Sequence, residues 1–423
     1  MKQLLACVVL MLVGGRAFAN GEAVNGFPNW NERVMHEWTN RARCAPQIEM
    51  QACGADCSEG GCYTPKPPLP WSEALNHAAR FHSDEMAAQG YFDHDSICTL
   101  VSNIDSIYPG TCMGAASCAC MGGTVSCSAA CTAWNSRIGL FGANAAGEII
   151  APGPDPSSAF YQWLYEFFDQ TTCAFVPGPP TNGHRWNILM SGPAVGYGVG
   201  NGASVGDFGG NATTAKVVSG SHYPRLGASV DAWANWYDTA GPMQALINVD
   251  GTCTAMTLGR GSVTNGAYHA QLSGLAAGCH RYFFLFHDST DAIVTYPTTG
   301  SLGIGAAGTC ADWDTTRPTT GAGCSCIAQC AGKQCGDDGC GGSCGNCATG
   351  ETCPANACVG AAPPDGGTGD DAPGGANNGN PRSGCGCATR DGGPAWLLAL
   401  LGMLALVSRP RRSSPRTRAR SGR

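Results

Sequence analysis

The stretch TNGHRWNILMSGPAVGYGVG, Thr181–Gly200, decides how the first half of the chain is read. A histidine and an arginine follow a Pro/Gly-rich bend, then an Asn-Ile-Leu run leads into a glycine-studded alternation. Ala194–Gly200 alternates as a strand, with Ser204–Gly210 as its expected neighbour. Working upstream, NWNERVMHEWTNRARC spaces Val34, Trp38 and Ala42 along one helix face. A second helix has Ser72 as its N-cap candidate, Leu75, Ala79, His82 and Met86 at helical spacing, and Gly90 as its stop. A third begins near Ser157 and carries Phe160, Trp163, Leu164 and Phe167 on its apolar side. Helices in this order around a small sheet argue for a mixed α/β sandwich over residues 28–210.

Further along, composition divides the chain. Residues 225–312 hold short alternating runs such as MQALINVDG, AYHAQLSGL and HRYFFLFHD, separated by turn residues. They read as an immunoglobulin-like β-sandwich, in which Cys253 and Cys279 are placed to pair. Residues 324–358 contain nine cysteines and form a small disulfide-rich module. Its Cys344-x-x-Cys347 admits a zinc reading, but an exported chain favours disulfides. Residues 359–384 are Pro/Gly/Asp-rich and read as a flexible linker.

Both ends read as export signals. Residues 1–19 carry Lys2, an apolar core from Leu4 to Val13 and an Ala17-Phe18-Ala19 cleavage pattern, the layout of a signal peptide. Residues 385–423 place an uncharged stretch, Gly392–Ser408, before seven arginines. As a helix that stretch would span about 25 Å, the short edge of a bilayer core. This end resembles the MYXO-CTERM sorting signals. The resemblance implies cleavage and lipid attachment near Cys385 or Cys387, and the alternative is a plain transmembrane anchor. Twenty-six cysteines suit an oxidising compartment, so the body is expected at the cell surface or outside the cell. Loss of a basic signal and a basic tail leaves it far more acidic than the −7 of the whole chain. Nucleic acid is therefore not an expected partner. After removal of both ends an odd number of cysteines remains, so at least one stays outside the internal pairs.

Four polar residues stand in otherwise apolar contexts. His94 follows Tyr91-Phe92-Asp93, Glu148 sits in NAAGEIIAPG, Glu166 falls one turn after Trp163 on the third helix, and His184 opens the quoted stretch. Two imidazoles and two carboxylates suit a divalent cation or general acid/base work. Each also fits a plainer role: Glu166 as a solvated helix acid, Glu148 as a loop acid, the histidines as satisfied polar groups. Spacing alone does not choose. The pattern Gly198-Val199-Gly200-Asn201-Gly202-Ala203 matches a dinucleotide fingerprint, but no long helix follows it.

The blocks LPWSEALNHAARFHSDEMAAQGYFDHDS, GEIIA, WLYE and GHRWNILMSGPAVGYGVG, in that order, resemble the signatures of bacterial-type CAP-superfamily domains. This SCP-like superfamily includes cysteine-rich secretory proteins, antigen 5 and pathogenesis-related proteins. The resemblance implies an α-β-α sandwich with a cleft holding His94, Glu148, Glu166 and His184. It implies zinc or another divalent cation on His94 and His184, with the Arg185–Ile188 run tying His184 to the next strand. Two departures stand out. Ile149 replaces the asparagine of the family's GENIA, and the cysteine-rich inserts 44–68 and 97–137 flank the cleft blocks. The function implied is an extracellular, surface-anchored module whose cleft takes a metal, lipid or peptide ligand. The alternatives are a metal-assisted hydrolase, with Glu148 or Glu166 as base, and a lipid- or sterol-binding module. Ser83 and Ser191 lie near the cleft blocks without an arranged partner, so the chain leans away from an enzyme.

Overall fold

The computed structural model describes residues 28–360, apart from 116–117, 119–130, 167–173, 177–181, 201, 322–323, 325–329, 331 and 337–343. The expected signal peptide and C-terminal sorting signal lie outside the described residues. Among those described, no helix is long and apolar enough to cross a membrane.

Among the described residues there are seven α-helices: α1 (Trp30–Cys44), α2 (Pro46–Glu49), α3 (Glu73–Gln89), α4 (Ile104–Ile107), α5 (Trp134–Leu140), α6 (Pro156–Leu164) and α7 (Gly183–Met190). The first sheet has three strands, β1 (Ala145–Pro152), β2 (Ala194–Val199) and β3 (Ala203–Gly209), in the order β1-β3-β2. A second joins β4 (Val217–Tyr223), β5 (Ser229–Tyr237), β8 (Thr257–Ser262) and β9 (Asn265–Ser273) in the order β4-β5-β9-β8. A third contains β6 (Gln244–Val249), β7 (Thr252–Ala255), β10 (His280–His287), β11 (Ile293–Tyr296), β12 (Ser301–Ile304) and β13 (Trp313–Asp314). One edge of β10 is shared by β12 and β11, and its other edge pairs with β6. Finally β14 (Glu351–Thr352) pairs with β15 (Val359–Gly360) in the cysteine-rich module.

The α/β, α-β-α sandwich expectation is corrected by these pairings. Every ladder between named strands is antiparallel, and strand outweighs helix among the described residues. The chain is mainly β, built on four antiparallel sheets with a disulfide-rich region. The physical reason lies largely in Lys216–Tyr237. VVSGSHY and SVDAWANWY form a strand pair whose inward residues Val217, Val230, Ala232, Ala234 and Trp236 pack on Ala245, Ile247, Tyr282, Phe284 and Phe286. Two whole sheets thus meet face to face over one apolar cluster.

Local signals explain the helices. Asn29 and Glu32 form a reciprocal capping box at the start of α1. Ser72 accepts from the Leu75 amide to start α3, and Gly90 ends it in the left-handed region at φ 71°. Every residue of α1 is buried, the polar ones included. Val34, Trp38 and Ala42 face the first core, while Asn40 donates to Ser219 and Asn235 donates to Glu37. Strands β4 and β5 therefore cover the face that sequence patterning assigns to water.

Two further expectations change. The Arg185–Ile188 run, expected to tie His184 to the next strand, is the middle of helix α7. Helix α6 stops at Leu164, so Glu166 lies just past its end rather than on it.

Seven disulfides are described: 53–57, 112–118, 253–324, 279–310, 330–344, 335–353 and 347–358. Cys253 and Cys279 do not pair with each other: Cys253 pairs with Cys324 and Cys279 with Cys310. Cys44 is the free cysteine among the described residues. Burial first, then the charges of Glu37 and Glu49, push its thiol up to about 12. It therefore carries almost no thiolate and stays out of disulfide exchange.

Candidate functional site

Helix α5, strand β1, the 93–95 turn and helix α7 enclose a cleft of about 790 Å³. His94, Glu148 and His184 line it, together with Asp95, Trp134, Trp186 and Asn187. Its floor depends on Gly147: a Cβ there would lie 2.1 Å from Asn187 Oδ1, so only glycine lets β1 and α7 approach this closely.

The four residues singled out by sequence come together as two pairs. His94 Nδ1 lies 2.8 Å from Glu148 Oε1, and His184 Nδ1 lies 3.1 Å from Glu166 Oε1. Glu166 stands behind His184, and its other oxygen accepts from the His184 amide. A carboxylate only accepts, so each Nδ1 is the donor, which leaves Nε2 as the ring atom facing away from the carboxylate. Neither Nε2 has a hydrogen-bond partner among the described residues. The pairs do not close into one shell. Among the described residues, only Cys335, Cys347 and Cys358 bring three donor atoms within 4.8 Å of one another. That cluster has the composition of a metal site, but its sulfurs are committed to the 335–353 and 347–358 disulfides.

Two buried arginines, of which sequence reasoning missed Arg137, support the pairs. Arg137 on α5 is fully buried and donates to Glu148 Oε2, the His94 carbonyl and Ser96 Oγ. One guanidinium thus ties the His94 turn to β1. Burial alone would raise the Glu148 carboxyl, but Arg137, with His82 and His94 behind it, holds it down to about 2. Arg185 plays the matching part on α7, donating to the Leu164 and Glu166 carbonyls. Ser83 is buried, with its hydroxyl donating to the Ala203 carbonyl, and is no nucleophile. No sequence signal marks Arg137, because its role depends on where α5 lands against β1.

Asp207 also escapes a reading by sequence. It pairs with Glu148 in the β1/β3 register, so two buried carboxyls share one face. Burial first, then the Glu148 charge, raise the Asp207 carboxyl well above its ordinary 3.8. A raised folded value stabilises below 3.8 and is lost as pH rises through the folded value. Asp207→Asn keeps the shape of the neutral acid without that loss. It is expected to raise the urea midpoint at pH 7, with the gain vanishing below pH 3.8. An equal shift at both pH values would show that Asp207 is not held neutral.

Comparison with protein-family models finds no match for the chain, and comparison with curated proteins finds none either.

Proposed function

We propose that the chain is an exported binding module whose cleft holds zinc or another divalent cation on His94 and His184. The observation that carries this reading is the pair of matched His–Glu contacts opening on one cleft. In each, a buried or half-buried carboxylate fixes the ring so that Nε2 is presented. This is the orientation that metal-bound histidines take from their carboxylate partners. The resemblance to CAP-superfamily domains supports the same residues, and the disulfides are compatible with an extracellular setting. Surface attachment through a MYXO-CTERM-like end remains part of the proposal, resting on residues 385–423 alone.

Two protein nitrogens are fewer than the three ligands of a typical open zinc site. The remaining positions would go to water or to a group on an external ligand. A hydrolytic reading has one obstacle: Glu148 has both oxygens engaged and sits far below the range of a base working near neutrality. Glu166 has both oxygens engaged as well, one by His184 Nδ1 and the other by the His184 amide.

Zinc titrated calorimetrically into the disulfide-intact chain is expected to bind once. His94→Ala and His184→Ala should each remove the binding. Glu166→Gln, which leaves both nitrogens but loosens one ring, should weaken it roughly 10–100-fold. No heat from the wild type, or binding unchanged in both alanine variants, would end this reading.

A further inference from the structure

Helix α1 lies along β4 with side chains matched level by level. Asn40 donates to Ser219 Oγ at 2.9 Å, and Trp30 stacks on Tyr223 with ring centroids 6.0 Å apart. Side chains alternate along a strand, so Ser221 shares the face of Ser219 and Tyr223. Arg33 and Ser221 fall at the level between those two contacts.

Both are sealed and short of partners. Arg33 is fully buried and gives Nη1 to the Pro28 carbonyl. Its Nε and Nη2 have no hydrogen-bond partner among the described residues, and neither has the Ser221 hydroxyl. The Nε–Nη2 edge is the fork that guanidinium groups use to clamp anions. Two neighbours use it in that way: Arg41 clamps Glu49 and Arg80 clamps Glu32.

No acid is left for Arg33. Glu32 is taken by Arg80, Asp312 by Arg225 at 2.5 Å, and Glu37 turns to Arg41 and Asn235. The other groups near this end of the seam add no negative charge. Arg281 donates to the Ser301 and Ala311 carbonyls, and burial holds His222 down at about 3, hence neutral. An arginine cannot shed its proton to escape burial. Water would satisfy the hydrogen bonds but not the charge.

We infer that a small monovalent inorganic anion of chloride size binds in this seam, gripped by the Arg33 fork and the Ser221 hydroxyl. It completes the contact between α1 and the second sheet, independently of the cleft.

Crystals of the disulfide-intact chain grown with bromide are expected to show an anomalous peak within hydrogen-bonding distance of Arg33 Nε and Nη2. In solution, the thermal midpoint should rise and saturate as chloride replaces gluconate, an anion too bulky to enter, at constant ionic strength. Arg33→Met keeps the length of the side chain without its charge and should abolish that chloride dependence. Should that variant fail to fold, Ser221→Ala serves instead, with an expected several-fold weaker chloride response. A peak without anomalous signal would mean water, and it would overturn the inference. So would a midpoint indifferent to chloride.

Discussion

Arg137→Met should lower the unfolding free energy by about 3–5 kcal/mol, the usual result of removing one partner from a buried ion pair. The methionine fills much of the same volume, so the loss is mainly electrostatic. Glu148, 1% exposed at its side chain, would be left beside Asp207 with no cation against it. Its carboxyl, now near 2, should climb, and His94 should lose its anchor because the turn loses its bonds to Arg137 at the His94 carbonyl and Ser96. Two readouts separate this from general damage. Urea unfolding gives the free energy, and the double variant Arg137→Met with Glu148→Gln should recover a large part of it, since the stranded charge is gone. A loss below about 1 kcal/mol would place the pair in water, contrary to the burial described.

Gly198→Ala is expected to cost about 3 kcal/mol or more, at or beyond the upper end of overpacking effects. A Cβ on Gly198 would stand 2.1 Å from the Arg80 amide nitrogen and 2.2 Å from the Ala79 carbonyl carbon. These are backbone atoms of α3 and cannot turn aside as a side chain would. Gly196, two residues earlier, is equally close to the Asn76 amide nitrogen at 2.1 Å. Pushing α3 away would also break the bond from Asn76 to the Tyr197 carbonyl. Gly139→Ala on α5 is the control. Nothing lies within 4 Å of its added Cβ, and helix propensity favours alanine by about 1 kcal/mol. Equal costs at the two sites would show that α3 does not rest on β2 as described.

That glycine pair also shows where sequence reading stops. Gly198 and Gly200 fit a nucleotide fingerprint by letters alone, whereas their spacing is set by a helix lying against the strand. The elements with self-contained signals were legible: α3 between Ser72 and Gly90, the Val34–Trp38–Ala42 stripe of α1, and the β2–β3 alternation. The elements that depend on distant partners were not. The polar face of α1 looks solvated until β4 and β5, almost two hundred residues later, supply Ser219 and Asn235. GHRWNILM has too few turns to reveal a helical period. The α/β expectation failed for the same reason, since β4 is rich in serine and glycine and does not look like core until its partner sheet is in place. His94, Glu148, Glu166 and His184 were visible as outliers of type. Arg137 and Asp207, which hold or press on Glu148, were not, because register and helix placement decide those contacts.

The bond between Cys253 on β7 and Cys324 encloses strands β8 to β13 and reaches the start of the cysteine-rich module. A protease that nicks the chain anywhere between them cannot part the pieces. Only reduction would release the fragments, so a cut there would be silent on a non-reducing gel. A single clip beyond Cys358, past the last described cross-link, would separate the whole cross-linked body from the residues that follow.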